Sequence, residues 1–213
     1  MFKTLSIKTR LVFVIAFLAA ELVAGAAIGI YNLGAANAEL KSLHDNRVVP
    51  AGQLSRVMQL VTTNQLLVGK AADASDSAQR DAYLTQVDAN VVEASATWKT
   101  YAQTRMTGEE AALAAKFVEA RQAFLAQGLQ PAVAAVRAGD SALANELVAG
   151  EMARRFQPVG ELGGQLLALQ QHVAQADYQR SQQTYETVRL VCLAGLAFGL
   201  VLAAVVGLSL IHI

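Results

Sequence analysis

Two long apolar segments, one near each end, constrain this chain more than any other feature. Residues 11–31 contain a single charged side chain, Glu21, and residues 190–211 contain none. Each segment is long enough to cross the roughly 30 Å hydrocarbon layer of a bilayer as one helix. Residues 32–189 have the composition of a water-soluble domain. The sequence therefore predicts an outer domain held at both ends by membrane helices.

The distribution of basic residues predicts the orientation. Three of them precede the first apolar segment: Lys3, Lys8 and Arg10. No Lys or Arg follows the second segment, so the positive-inside rule places a tail of residues 1–10 in the cytoplasm and residues 32–189 outside it. Because a membrane helix with nothing basic after it is poorly anchored, we expect residues 212–213 to begin a truncated cytoplasmic part.

The first apolar segment has an alternative interpretation as a cleaved signal peptide. Leu11–Ala20 resembles an apolar signal core, and Ala24–Ala26 resembles an A-x-A cleavage site. Apolar residues continue to Ile30, which favours a membrane span. Glu21 is costly at the centre of a bilayer. Two interpretations of Glu21 stay open, namely a contact with a partner helix and local snorkelling towards water.

Small residues recur in both apolar segments. They lie four residues apart, at Gly25 and Gly29 in the first segment and at Gly195, Gly199, Ala203 and Gly207 in the second. Such spacing lets helix backbones approach closely, so it predicts packing between membrane helices. The single cysteine, Cys192, excludes an intrachain disulfide, and the outer domain must be stabilised by its core.

The sequence of the outer region, residues 32–189, predicts helices throughout. It carries 14 Lys or Arg and 16 Asp or Glu, a net charge near −2, which implies neither nucleic acid nor an anionic surface as a partner. All clear periodicity is helical. Helices are expected to end near Ala72, to span Ser77–Gln103 and 107–138, and to run from Ala142 into the second apolar segment. The predicted fold class is all-α, an antiparallel up-down four-helix bundle with two transmembrane helices continuous with its first and fourth helices.

Apolar stripes predict which helix faces are buried. The first helix carries a heptad seam of Leu40, Leu43, Arg47, Pro50, Leu54, Val57, Val61, Asn64 and Val68. The others carry Tyr83, Val87, Val91, Ala94, Trp98 and Tyr101, then Leu113, Phe117, Phe124 and Leu125, then Val159, Leu162, Leu166, Leu169, Val173 and Ala176. Thr107–Glu110 has the form of a capping box. Gly139–Ser141 supplies a helix stop and a new N-cap, and Pro50 is expected to kink the first helix.

Several short motifs, taken in order, resemble one family. They are Asn46–Pro50 with Gln53–Leu54, Trp98–Tyr101, Thr107–Glu110, Phe124 with Gly128–Ala132, Ala138–Asp140, Pro158, and Leu166–Ala176 with Gln170 and Gln171. Together they resemble the outer domain of bacterial chemoreceptors, the methyl-accepting chemotaxis proteins with a four-helix-bundle sensory domain. The resemblance covers nearly the whole chain.

The resemblance implies a homodimer in which the first helix packs on its symmetry mate. It implies ligand capture between subunits at the membrane-distal end, and a small piston-like shift of the fourth helix. A HAMP domain and a coiled coil that controls a cytoplasmic kinase through an adaptor normally follow. The best-known members bind amino acids through arginines on the first helix, but Val57–Ala72 contains none, and Lys70 supplies only a point charge.

The candidate ligand-binding residues are accordingly Asn64, Gln65, Lys70 and Arg154. Asn64 lies on the heptad seam, where an alternative role is to fix the register of the dimer. For Gln65, Lys70 and Arg154, and for the neighbouring Arg155, the alternative is an ordinary solvated helix face. The ligand is either a small molecule or a periplasmic binding protein.

The sequence shows no arrangement of residues for catalysis. No phosphate loop, nucleophile elbow or Cys–His pair is present, and His44 and His172 have no second ligand at metal spacing. We therefore expect no enzyme, no cofactor and no metal. The leading hypothesis is the sensing portion of a chemoreceptor. The alternatives are the sensory part of a histidine kinase or a cyclic-dinucleotide enzyme, and a membrane-anchored helical interaction protein without ligand.

Overall fold

The computed structural model describes residues 7–211, and every regular element in this range is helical. The α-helices are α1 (Ile7–Leu43), α2 (Val49–Asp73), α3 (Ser77–Tyr101), α4 (Gly108–Ala123), α5 (Gln130–Arg137), α6 (Ser141–Leu147) and α7 (Ala153–Ile211). Residues 7–211 contain no strand, so the all-α prediction is confirmed. Lys3, most of the predicted cytoplasmic tail and the expected start of a cytoplasmic part lie outside the described residues.

The chain divides into two compact units. Residues 43–175 form the predicted four-helix bundle. Its four segments are α2, α3, the α4–α5 pair, and α6 with the first part of α7. The second unit contains the residues up to 42 and those from 176 onward, and therefore holds both apolar segments.

Side-chain caps fix where the bundle helices begin. Asp76 Oδ1 accepts a hydrogen bond from the Ala78 amide at 3.1 Å at the start of α3, and Asp140 Oδ1 accepts one from Leu143 at 3.0 Å at the start of α6. Each bond satisfies an amide that has no partner inside the helix. Gly139 has a φ of 77° between α5 and α6, a conformation that glycine adopts without a steric cost. The predicted stop at Gly139 is confirmed, whereas the cap is Asp140 and α6 begins at Ser141, one residue before the expected start at Ala142.

π-Helical turns explain how two prolines are tolerated in long helical segments. The turns span His44–Val48, Phe124–Leu129 and Val148–Met152. Pro50 and Pro131 each stand in the first two positions of the α-helix that follows such a turn. A proline lacks the amide that an α-helix needs and its ring crowds the preceding turn, so a wider turn just before it relieves the conflict. The structure has a π-helical turn where the sequence predicts a kink, and the kink itself stays a prediction.

Apolar side chains from all four segments of the bundle form one core. Its fully buried members include Leu54, Val57, Val68, Val87, Tyr101, Phe117, Phe124, Met152, Val159 and Leu166. The seam predicted for the first helix is buried from Pro50 to Val68.

The stripe predicted for α3 needs a correction. Tyr83, Val91 and Trp98 are only half-buried, whereas Leu84 and Asn90 are fully buried. The reason is that the buried side of α3 faces α2, as the hydrogen bond from Asn90 to α2 shows. Of the half-buried residues, Val91 lines a groove with residues of the α4–α5 segment and Trp98 packs on Phe117 of α4.

Both apolar segments are helical and long and apolar enough to cross a membrane. Many of their large apolar side chains are exposed within the chain, as expected of helices that face lipid. The carboxyl oxygens of Glu21 occupy the space that a Cβ atom on Gly199 would fill. Of the two interpretations of Glu21, the structure supports the contact with another helix.

The small residues of the apolar segments make few close contacts within the chain, and packing between the membrane helices of two chains stays a prediction. A Cβ atom added to Gly25, Gly29 or Gly195 would meet nothing within 4 Å. Among the four glycines of these segments whose surroundings the structure describes, Gly199 alone has a close neighbour, because Glu21 reaches the second helix there; the side of Gly207 lies outside the described residues. The other three leave space beside the helix backbone.

Candidate functional site

The structure does not gather the four candidate residues into one site. Asn64 is 2 % exposed in the bundle core, whereas Gln65 is half-buried and Lys70 is exposed in the last turn of α2. Arg154 is exposed near the start of α7 and pairs with Glu151. The same carboxylate accepts a hydrogen bond from Arg155 Nε at 2.6 Å, so both arginines already have an anionic partner.

Asn64 belongs to a short chain of amides between α2 and α3. Its Oδ1 accepts a hydrogen bond from Asn90 Nδ2 at 2.8 Å, and Asn90 Oδ1 accepts one from Gln86 Nε2 at 2.8 Å. Burial of an amide without a partner is costly, so the pair fixes how α2 and α3 align. This contact lies within one chain, which differs from the register between subunits that the sequence suggested for Asn64.

A buried carboxyl group joins three helices at the end of the bundle where α3 ends and α4 begins. Glu110 is 2 % exposed. Its Oε1 accepts hydrogen bonds from Tyr101 Oη at 2.7 Å and from Gln170 Nε2 at 2.5 Å. These bonds connect the last residue of α3, the first turn of α4 and a residue near the end of the bundle part of α7. We call these three residues the Glu110 cluster.

The Glu110 cluster corrects part of the capping-box prediction. Thr107 Oγ1 accepts a hydrogen bond from the Glu110 amide at 3.2 Å, as predicted. The Glu110 side chain, however, turns into the core instead of back to the Thr107 amide. The reason is that Tyr101 and Gln170 offer two donors in a place that water does not reach.

The surroundings of Tyr101 are aromatic as well as polar. The Trp98 ring lies 5.1 Å from the Tyr101 ring and 4.7 Å from the Phe117 ring, measured between centroids. Burial raises the pKa of the Tyr101 hydroxyl well above its usual range, and the hydrogen bond to Glu110 and the charge of Glu110 raise it further. Tyr101 therefore acts as a hydrogen-bond donor at any physiological pH.

A surface groove of about 670 Å³ lies between α3 and the α4–α5 segment. Its apolar lining consists of Val87, Val91, Val92, Leu125, Leu129, Val133 and Ala134. At its rim, Arg137 Nη2 donates a hydrogen bond to Asp88 Oδ2 at 2.6 Å. A second groove of about 600 Å³ lies between α4 and α7, where Glu109, Lys116 and His172 are among the lining residues.

Arg121 is the unusual cation of the bundle. It is half-buried on α4, and Nη2 donates a hydrogen bond to Ser95 Oγ on α3 at 2.8 Å. Its Nε atom is buried without an acceptor, and no carboxylate among the described residues pairs with it. Burial lowers the pKa of the Arg121 guanidinium. By contrast, Arg56 and Arg137 each form an ion pair at 2.6 Å.

Sequence reasoning missed Glu110 as a core residue and Arg121 altogether, although a signal for both was present. Glu110, Phe117 and Phe124 are seven residues apart, and Arg121 lies between the two phenylalanines at helical spacing. Charged residues on an apolar stripe indicate a buried polar function. Within residues 7–211 the structure places no three His, Cys, Asp or Glu side chains where they could hold a metal ion.

Comparison with known proteins identifies the family. Residues 1–177 match the model of the family described as "Tar ligand binding domain homologue". The comparisons with curated proteins and with solved structures found no match. The matched range covers the first apolar segment and the whole bundle, which ends at residue 175. The chain therefore belongs to the Tar ligand-binding-domain family, and residues 43–175 are its chemoreceptor-type sensory domain.

Proposed function

We propose that this chain is the sensing portion of a bacterial transmembrane chemoreceptor. It detects a ligand in the periplasm and passes a small displacement of α7 across the membrane to a cytoplasmic region that controls a kinase. The observation that carries the proposal is a four-helix bundle of this family flanked by two helices long enough to span a bilayer. The family is one of ligand-binding domains, so we assign the chain binding and signalling and no catalysis.

The proposal includes a topology. Residues 11–31 and 190–211 span the inner membrane, residues 1–10 are cytoplasmic, and residues 32–189 face the periplasm. The excess of basic residues ahead of the first span supports this orientation. After Cys192→Ser removes the one native thiol, a cysteine at the exposed position Lys70 should react with a membrane-impermeant maleimide added to intact spheroplasts. Protection of that cysteine until the membrane is dissolved would refute the topology.

The proposal also includes a homodimer that forms along α2. Leu66 supports it, because this apolar side chain is 59 % exposed on the surface of α2. In the Cys192→Ser background, Leu66→Cys should form a disulfide-linked dimer in the membrane on mild oxidation. The exposed Val92 of α3 provides the matched control, since Val92→Cys should give much less dimer. Equal crosslinking at both positions would contradict a dimer along α2.

A fusion protein tests signalling directly. The chain is joined after residue 213 to the HAMP domain and kinase-controlling region of a well-characterised chemoreceptor, and kinase activity is measured in membranes against a broad panel of small molecules. We expect at least one compound to change kinase activity. The control fusion lacks residues 43–175 and should not respond. If no compound acts, or if the control responds equally, the proposed function is wrong.

A further inference from the structure

The groove between α3 and the α4–α5 segment combines an apolar floor with charged ends. Seven of its lining residues are Val, Leu or Ala. Val92 stands at the mouth with 70 % of its surface exposed. A volume of about 670 Å³ lies within the range of roughly 300–1,000 Å³ that small-molecule sites occupy. The groove is therefore large enough for a small organic molecule and offers its body an apolar surface.

Arg121 lies one helical turn beyond this groove. It precedes the lining residue Leu125 by four positions on the same helical segment, and its partner Ser95 follows the lining residue Val91 by four positions on α3. Residues four apart lie on the same face of a helix. The guanidinium thus lies at the end of the groove that is opposite Arg137.

The hydrogen bonding of Arg121 is incomplete in a way that fits a carboxylate. Nε has no acceptor, and Nη2 has only the hydroxyl of an exposed serine. Nε and Nη2 lie along the same edge of the planar guanidinium and together form a fork that holds a carboxylate with two parallel hydrogen bonds. A carboxylate that replaces the Ser95 hydroxyl at Nη2 also reaches Nε, which satisfies the donor that is otherwise buried without a partner.

The charges around the groove favour an anion. Arg137 is neutralised by Asp88 at the far end. Arg121 has no such partner among the described residues, so these three charges leave a net charge of +1. The cost of burying an arginine without a counter-ion is recovered when a ligand supplies one.

From this geometry we propose that the groove between α3 and the α4–α5 segment binds a small organic carboxylate with an apolar body, whose carboxylate is held by Arg121 and whose apolar part covers Val91, Val92 and Leu125. This inference rests on the proposed sensing function and names the chemical class of ligand. The site lies within one subunit, apart from the candidate residues Lys70 and Arg154.

Titration calorimetry on the full chain in lipid nanodiscs tests the proposal, with hexanoate as the probe and empty nanodiscs as the blank for partitioning into lipid. Hexanol lacks the charge and acetate lacks the apolar body, so both should bind at least tenfold more weakly than hexanoate. Arg121→Gln should weaken hexanoate binding roughly tenfold or more, because hydrogen bonds to a charged group are lost. Arg105→Gln, at an exposed arginine of the α3–α4 loop, is the matched control and should leave binding unchanged.

A second variant guards against misfolding of Arg121→Gln. Val92→Asp changes an exposed position, so the fold should persist, and its negative charge should weaken hexanoate binding by a similar factor. Leu143→Asp, at a position 44 % exposed outside the groove, should have no effect. Hexanoate affinity that is equal in wild type, Arg121→Gln and Val92→Asp would overturn the site, as would the absence of hexanoate binding at millimolar concentration. Neither result bears on the fusion experiment, in which a response to some other compound would leave the sensing function standing.

Discussion

Replacement of Glu110 by alanine should destabilise the bundle far more than replacement of its neighbour. Both Glu109 and Glu110 lie in the first turn of α4, so their carboxylates interact equally favourably with the positive end of the helix dipole. Only Glu110 is buried and accepts hydrogen bonds from Tyr101 and Gln170. Glu110→Ala leaves both donors without a partner in the core, whereas Glu109→Ala removes an exposed side chain.

The expected difference follows from two lost hydrogen bonds. At about 1.5 kcal/mol for each bond to a charged acceptor, Glu110→Ala lowers the free energy of unfolding by about 3 kcal/mol. Glu109→Ala loses only the dipole interaction, about 0.3–1 kcal/mol. In a chain of this length a change of 1 kcal/mol shifts the melting temperature by about 2–4 °C, so Glu110→Ala should melt about 6–12 °C below the wild type.

Circular dichroism at 222 nm during heating, on the full chain in nanodiscs, provides the measurement. A double-mutant cycle of Glu110→Ala with Tyr101→Phe should show coupling, because the phenylalanine variant removes the donor that Glu110→Ala leaves unpaired. If the alanine variants at positions 109 and 110 melt at the same temperature, the Glu110 cluster does not stabilise the bundle and our reasoning is wrong.

Three further predictions concern other contacts. Folding raises the pKa of Tyr101, so above pH about 10 the folded chain keeps the hydroxyl proton while the unfolded chain loses it. The free energy of unfolding of the wild type should therefore fall by up to about 1.4 kcal/mol per pH unit in that range relative to Tyr101→Phe. Parallel pH profiles of the two melting temperatures would contradict this. Gly199→Leu should lower the free energy of unfolding by about 1–3 kcal/mol, because the Glu21 carboxyl group fills the space beside that glycine. Gly195→Leu is the control, since a side chain there meets nothing within 4 Å. Thermal unfolding in nanodiscs should separate the two variants, and equal melting temperatures would refute the contact. Asn64→Leu should lower the free energy of unfolding by about 1–3 kcal/mol, because it leaves the Asn90 amide unpaired. The double variant with Asn90→Leu should recover most of this loss. A double variant less stable than the single one would show that the pair does not act as a unit.

Helical periodicity and capping were sufficient to predict the bundle. The start of α4 follows from Thr107, and the turn before α6 follows from Gly139 and Asp140. These signals are local, because each depends on atoms a few residues apart. The apolar segments were equally evident, since a run of about 20 apolar residues needs no knowledge of tertiary contacts.

The candidate site could not be predicted in the same way, because its features depend on residues far apart in the sequence. The sequence predicted Glu110 as the acidic residue of a capping box. In the structure its carboxylate instead accepts a hydrogen bond in the core from Gln170, which is 60 residues away. Sequence reasoning does not single out Arg121, because the burial of its Nε atom and the hydrogen bond from its Nη2 to Ser95 both depend on a neighbouring helix.

The sequence by itself determined the helices, their ends, the two apolar segments and the family resemblance, because hydrophobic period, caps and length act within one helix. Only the tertiary structure decided which face of α3 is buried, where the Glu110 side chain turns and that the half-buried Arg121 has no carboxylate partner among the described residues. The physical reason is that burial and hydrogen-bond pairing are properties of neighbouring helices. A helix rotated by a few tens of degrees keeps its sequence pattern but exchanges its partners.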